Sequence, residues 1–279
     1  MSTRTRQATA TEAFDMPNEA HALEVSTTYP LSEPTREARG RLGRYARVQA
    51  QDFFVRQGVM MTVLALALAV PMMMAARNSG DAFPEIVRKI FGFVSGTLVG
   101  VGTLLATRGI VSDDTQHGFH RFLFSKPLVI ERYYAQSFAV RFAGFMAMLL
   151  VLMLPFTLFA AVPVVQMLAV GAIVFTLLGG VGFLLSTLSR LDTGLVLALA
   201  AVTAAVQGMS HAPPFSFLRP LAVILPPLEQ LGQVLNYILR DVAFHASGFP
   251  VGSLLWVLAY GAGSFVAGLA ILRRRAVPA

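Results

Sequence analysis

Apolar residues run along this chain in long blocks, not at the spacing of an amphipathic surface helix or strand. Six blocks are long enough to cross a bilayer: Val59–Ala76, Ile90–Thr107, Phe142–Ala161, Val164–Leu188, Thr193–Met209 and Val251–Leu272. About 20 residues rising 1.5 Å each cross roughly 30 Å of hydrocarbon. None of the six carries Asp, Glu, Lys or Arg inside its apolar run. The pattern predicts an all-α polytopic membrane protein with six transmembrane helices over 57–279. Thr193–Met209 is the shortest of them.

The stretches between and before the blocks have their own patterns. Residues 1–33 are rich in Thr, Ser, Ala and Glu and hold no apolar core, so they are expected to form a disordered tail and not a signal peptide. Over 34–56, Arg36, Arg39, Arg44 and Arg47 share one side of a helical wheel, while Ala38, Leu42, Tyr45 and Phe53 share the other. This predicts an N-terminal amphipathic interfacial helix at the membrane surface, with its arginines toward anionic lipid or toward another subunit. Between blocks five and six, Pro213, Pro214, Pro220, Pro226 and Pro227 forbid a straight spanning helix. After Pro227, apolar Leu228, Leu231, Val234, Leu235, Ile238, Leu239 and Val242 alternate with Glu229, Gln230, Gln233, Asn236 and Arg240 at helical spacing. An amphipathic helix preceded by a re-entrant or interfacial piece is expected there.

Composition agrees with lipid as the solvent. Of 279 residues, 55% are hydrophobic and 13% charged, with a mean hydropathy of +0.64. A soluble globule of 30.1 kDa leaves too much of its surface in water to hide that much apolar area. A soluble enzyme or a nucleic-acid binder is thereby excluded. The net charge of +7 is explained by loop asymmetry: 17 of the 22 Lys and Arg fall before span one, between spans two and three, at Arg190 or in Arg273–Arg275. By the positive-inside rule both termini are cytoplasmic, in a plasma (bacterial inner) membrane, which an even number of crossings permits. There are no cysteines.

Catalytic and metal chemistry is sparse. The only lysines are Lys89 and Lys126, and no P-loop motif occurs, so this chain has no ATP site of that kind. No ionisable group sits within a span, which counts against an ion-driven carrier. His117 and His120, beside Asp113 and Asp114, fall short of a metal-ligand cluster, and Ser210–His211 cannot form a nucleophile–base pair alone. No cofactor or metal is expected in this chain. Within span two, Gly92, Gly96 and Gly100 recur every four residues, the spacing at which helix backbones approach closely. Thr97, Thr103, Gln166, Thr176, Gln207 and Tyr260 are candidates for helix-to-helix hydrogen bonds or for lining a pathway, and Pro71 and Pro155 for kinks.

The segment 112–141, between spans two and three, mixes Phe119, Phe122, Leu123 and Phe124 with His120, Arg121 and Lys126 before Pro127. A short helix with aromatic residues on one side and charges on the other suits docking to a soluble partner or lying on lipid. Here the chain resembles the permease subunits of ABC-2 type transporters. The matching positions are Asp113 and Asp114 after the second span, Gly118, Arg121, Leu123 and Lys126–Pro127–Leu128. The resemblance extends over the basic segment before span one, the six spans and the outer segment, from about Pro34 to the C-terminus. It departs after Pro127, where many members carry a Ser/Thr–Arg pair and this chain has Val129–Ile130, then Glu131–Arg132.

The resemblance implies a coupling helix at 113–127, with Asp113, Asp114, Gly118, Phe119, Arg121, Phe122, Lys126 and Pro127 seated in a groove of a separate ATP-binding cassette ATPase. ATP and Mg would be bound in that partner. It further implies an assembly of two ATPases and two permease copies, as a homo- or heterodimer, exporting a substrate such as a drug, lipid, polysaccharide or haem. The rival expectations are a non-transporting membrane anchor or assembly subunit, and a secondary carrier or channel.

Overall fold

The computed structural model describes residues 46–77, 81–110, 130–189, 192–210, 217–239 and 248–276. Every described secondary element is helical. This follows from the apolar blocks themselves, because hydrocarbon supplies no partner for backbone N–H and C=O groups and a helix pairs them internally. Five described helices are long and apolar enough to cross a membrane.

Helix α1 spans Ala46–Ala76 and passes through a π turn at Phe54–Gly58 and through Pro71 without ending. The described part of the basic segment, residues 46–56, is therefore continuous with the first crossing and does not form a separate helix. Helix α2, Phe83–Thr107, begins before its apolar block, with Pro84 in its first turn and the Ala82 carbonyl accepting from Glu85 and Ile86 N–H. Pro is tolerated there because no intrahelical N–H is lost. Helix α3, Ile130–Met153, begins well ahead of the predicted third span and tightens into a 3₁₀ turn, Leu154–Leu158, where Pro155 enters. Helix α4 is Val164–Leu188, as its apolar block predicts, with a π turn at Phe175–Gly179.

Helix α5, Asp192–Ser210, covers the fifth block; its apolar part, Gly194–Ser210, is shorter than the other five. The proline-rich stretch holds the short α6, Arg219–Ile224, and the amphipathic α7, Leu228–Leu239. Helix α8 runs Val251–Ala276.

Helices α2 and α4 occupy the centre, with Ile90, Phe91, Val94 and Leu98 of α2 and Phe175 and Leu177 of α4 buried in one apolar core. On α3, Tyr134, Phe138, Phe142 and Phe145 recur every three or four residues and meet Phe175 and Phe183 of α4, and Phe138 meets Phe265 of α8 with ring centroids 4.5 Å apart. Such an aromatic seam joins three helices through edge-to-face and tilted contacts. By contrast, α1 and α8 expose Val63, Leu66, Val70, Leu255, Trp256 and Val266. Apolar surface on that scale is unfavourable in water and ordinary against lipid.

The closest helix approach joins α4 to α8. A Cβ at Gly180 would stand 2.0 Å from the Gly261 carbonyl oxygen, and one at Gly261 2.3 Å from that of Thr176. The backbones therefore touch directly, beside the π turn of α4. Elsewhere, Phe53 fills the space a side chain at Gly144 would need, and Leu149 does the same at Gly171.

Candidate functional site

Two regions gather polar groups in this apolar bundle: the root of the 111–129 connection, and the wedge that holds α6 and α7.

At the root, α2 ends at Thr107 with an extended cap at Arg108, and α3 begins at Ile130. Arg141, partway along α3, reaches across to these last carbonyls. Its guanidinium donates to the Ala106 oxygen at 3.1 Å and to the Arg108 oxygen. A fixed cation at a helix C-terminus satisfies carbonyls that have no intrahelical donor and complements the negative end of the dipole. Beneath this clamp, Ile110, Tyr134 and Phe183 are buried together, with Tyr133, Phe265, Leu269 and Leu272 packed against them. Arg273 of α8 faces Glu131 at 3.6 Å, an exposed pair of small energetic weight. The connection 111–129 thus leaves and rejoins the bundle at one end, between two helices tied side by side. The opposite end of α2 is also tied, by Arg88 Nε donating to the Ala161 carbonyl at 3.3 Å and by Lys89 Nζ on Asp81 at 2.7 Å.

In the wedge, Gln207 of α5 is 7% exposed and uses both ends of its amide. Its Nε2 donates to the Pro226 carbonyl at 3.0 Å, and its Oε1 accepts from the Glu229 N–H at 3.2 Å. Tyr260 of α8 donates its hydroxyl to the Ile224 carbonyl at 2.9 Å, and Ser253 donates to Gln233 Oε1 at 3.0 Å. Leu231, Val234 and Ile238 of α7 are buried. Of the polar residues singled out within the spans, Thr97, Thr103 and Thr176 bond back to carbonyls four residues earlier in their own helices, at Phe93, Val99 and Ala172. Gln207 and Tyr260 instead join separate elements.

No family model, curated protein or solved structure matches the chain.

The residues expected to meet a partner, Asp113, Asp114, Gly118, Phe119, Arg121, Phe122, Lys126 and Pro127, lie outside the described residues, as do His117 and His120. Arg36, Arg39 and Arg44 of the basic segment lie outside them too, while Arg47 is exposed in the first turn of α1. Arg141 was legible only as one more loop charge; its distance of a few turns from the start of α3 acquires meaning when α2 is placed beside it.

Within one copy, no described residue fills the glycine ladder. Gly92 and Gly96 are exposed and Gly100 half-exposed, and a Cβ on any of the three meets nothing within 4 Å among the described residues. In α2 the crowded glycine is Gly102, where a Cβ would stand 3.0 Å from Met61 Cε. A leucine in the variant Gly96→Leu therefore enters open space as far as the described residues of one copy are concerned. The thermal melting of the dispersed single chain is expected to stay within about 0.5 kcal/mol of the parent, the range of a surface substitution. A large loss of stability in the single chain would show that α2 turns another face to its neighbours.

Proposed function

We propose that this chain is the membrane permease subunit of an ATP-driven exporter of the ABC-2 type. In this reading α1 to α5 and α8 provide six crossings, with α5 as the short one. Both termini and the 111–129 connection face the cytoplasm, and the chain works as one of two permease copies with a separate ATPase. The reading draws on the resemblance around Asp113–Leu128 and on the excess of Arg and Lys at one end of the topology.

The observation that carries it is the Arg141 clamp. Because Arg141 of α3 holds the last carbonyls of α2, a push on the connection between these helices moves both together instead of bending one away from the other. A membrane chain with no P-loop and no ionisable group inside its apolar blocks needs such a rigid point at which to receive work from a nucleotide-hydrolysing neighbour.

The test is to isolate the chain from its native membrane in mild detergent and measure ATP turnover. A stoichiometric ATPase whose turnover depends on this chain is expected. Arg121→Glu is expected to leave insertion intact and to detach or uncouple that ATPase, since a reversed charge at an interface costs several kcal/mol. Unchanged co-purification and unchanged coupled turnover in that variant would overturn the placement of the interface. Substrate movement by the reconstituted chain without nucleotide would overturn the reading as a whole.

A further inference from the structure

Arg88 is exposed near the start of α2, with most of its guanidinium unused. Along the helix axis it stands about 30 Å from Arg108, the C-terminal cap, which is roughly the thickness of a hydrocarbon layer. The two arginines therefore bracket the apolar run from Ile90 to Thr107 at its two boundaries. Arg108 is tied to α3 at the end marked by Glu131 and Arg273, so Arg88 lies at the opposite end, at headgroup level.

One bond orients this side chain. Its Nε donates to the Ala161 carbonyl at 3.3 Å, in the turn between α3 and α4. That leaves the edge formed by the two Nη atoms open, with no acceptor on it among the described residues. The neighbouring cation is engaged, since Lys89 Nζ lies 2.7 Å from Asp81. The same junction is bridged by Phe83 and Phe159, whose rings meet edge to face at 5.9 Å, and both remain exposed, as does Leu158. Deeper in, Phe91 meets Phe156 with centroids 5.6 Å apart, which fixes α2 against the 3₁₀ turn leading to Phe159. A guanidinium edge held in place can take two oxygens of a phosphate at once, and exposed rings beside it suit the glycerol and first methylenes of a lipid. Over 81–89, Asp81 and Glu85 balance Arg88 and Lys89, so the patch has no net attraction for a bare anion. Glu85 is exposed one turn from Arg88, where it suits an ammonium.

We propose that Arg88, Glu85 and the Phe83–Phe159 pair form a binding site for one phosphatidylethanolamine molecule. Its phosphate sits on the Nη edge of Arg88, its ammonium faces Glu85, and its glycerol end rests on the two rings. The lipid is a resident of the junction between α2 and the α3–α4 turn, not a transported substrate. This inference rests on the helices being membrane-embedded and not on transport or on any ATPase, so the two readings fail separately.

The test uses the full-length protein in maltoside micelles, a detergent without phosphate, after endogenous lipid is stripped by repeated exchange. The probe is dioleoylphosphatidylethanolamine. The readouts are lipids retained in native mass spectrometry and the rise in melting temperature on adding lipid, each variant against its own lipid-free value. The parent is expected to hold one molecule more tightly than any others. Arg88→Gln is expected to weaken that molecule about tenfold or more, the loss of a charge-assisted pair. Arg88→Lys, which keeps a cation and a donor but no planar edge, is expected to weaken it several-fold. Arg77→Gln removes an exposed cation at the same end of the bundle and is expected to leave retention unchanged. Equal retention by Arg88→Gln and the parent, or an equal loss in Arg77→Gln, would overturn the site. Should Arg88→Gln not fold, equal retention by Arg88→Lys and the parent would overturn it alone. Equal retention of dioleoylglycerol, which has the chains without the phosphate, would overturn headgroup recognition. Displacement by millimolar inorganic phosphate would give the guanidinium edge to a free anion and overturn the lipid. Equal or tighter retention of dioleoylphosphatidylglycerol, which has no ammonium, would overturn the part given to Glu85.

Discussion

Gly261→Ala, with Gly180→Ala, is expected to cause the largest loss of stability of any single-methyl addition among the described residues. The new Cβ would stand 2.3 Å from the Thr176 carbonyl oxygen and 2.9 Å from Leu177 Cα. Both are backbone atoms of a central helix, so no side chain can rotate away and α4 and α8 must separate. Overpacking of this kind costs about 1–3 kcal/mol and more where the backbone resists. Separation also weakens the neighbouring contact of Phe183 with Phe265, whose rings lie 4.7 Å apart. Gly180→Ala strikes the same contact from the other side, 2.0 Å from the Gly261 carbonyl oxygen. The control is Gly263→Ala on the same helix, where a Cβ meets nothing within 4 Å. Thermal unfolding in detergent should rank Gly261→Ala and Gly180→Ala far below Gly263→Ala. Equal melting of Gly261→Ala and Gly263→Ala would mean that α4 and α8 do not touch backbone to backbone.

Arg141→Met is expected to have the second largest effect and to concentrate it at one end of the bundle. The substitution keeps an unbranched chain along α3 and removes both donors to the Ala106 and Arg108 carbonyls. Hydrogen bonds to charged groups contribute about 1.5–3 kcal/mol each, and partial exposure at this site lowers the sum to about 2 kcal/mol. Arg141→Lys should recover only part of it, because both bonds come from Nη1 and a lysine side chain ends one bond short of that atom. The readouts are the melting temperature and the rate of limited proteolysis within 111–129, both compared with the parent. Cleavage and melting unchanged in Arg141→Met would remove the clamp from the account, and with it the main structural support for force transfer through this connection.

The parts of the fold that could be read along the chain are those decided by local solvation. Five apolar blocks correspond to helices long enough to cross a membrane, and the bounds of Val164–Leu188 coincide with those of α4. The periodicity after Pro227 marks α7, and Pro155 marks the change to a 3₁₀ turn. Helix ends outside the apolar blocks were less legible. Helix α3 begins twelve residues before its block because Ile130–Arg141 packs Tyr134 and Phe138 onto α4 and α8. Similarly, the described start of the basic segment joins α1, since nothing between Ala46 and Val59 breaks the backbone ladder.

Glycine shows where pattern reading stops. Gly92, Gly96 and Gly100 have the spacing of a helix contact yet meet none of the other described residues, whereas Gly180 and Gly261, far apart and in no common motif, touch. Spacing within one helix identifies a smooth stripe, but only a second helix in place shows whether anything fills it. The same holds for the polar residues. Nothing in one dimension distinguishes Thr176, which bonds back to Ala172, from Gln207, which reaches the turn of another segment.

From its sequence alone this protein is a helical, multi-pass chain for lipid, because the hydration cost of a long apolar run depends only on the residues within it. Tertiary structure decided the backbone contact of α4 with α8, the Arg141 clamp and the pinning of the α6–α7 turn. Each of those joins residues far apart along the chain, and a hydrogen bond or a van der Waals clash depends on separations in space of a few ångströms, which only the packed bundle defines.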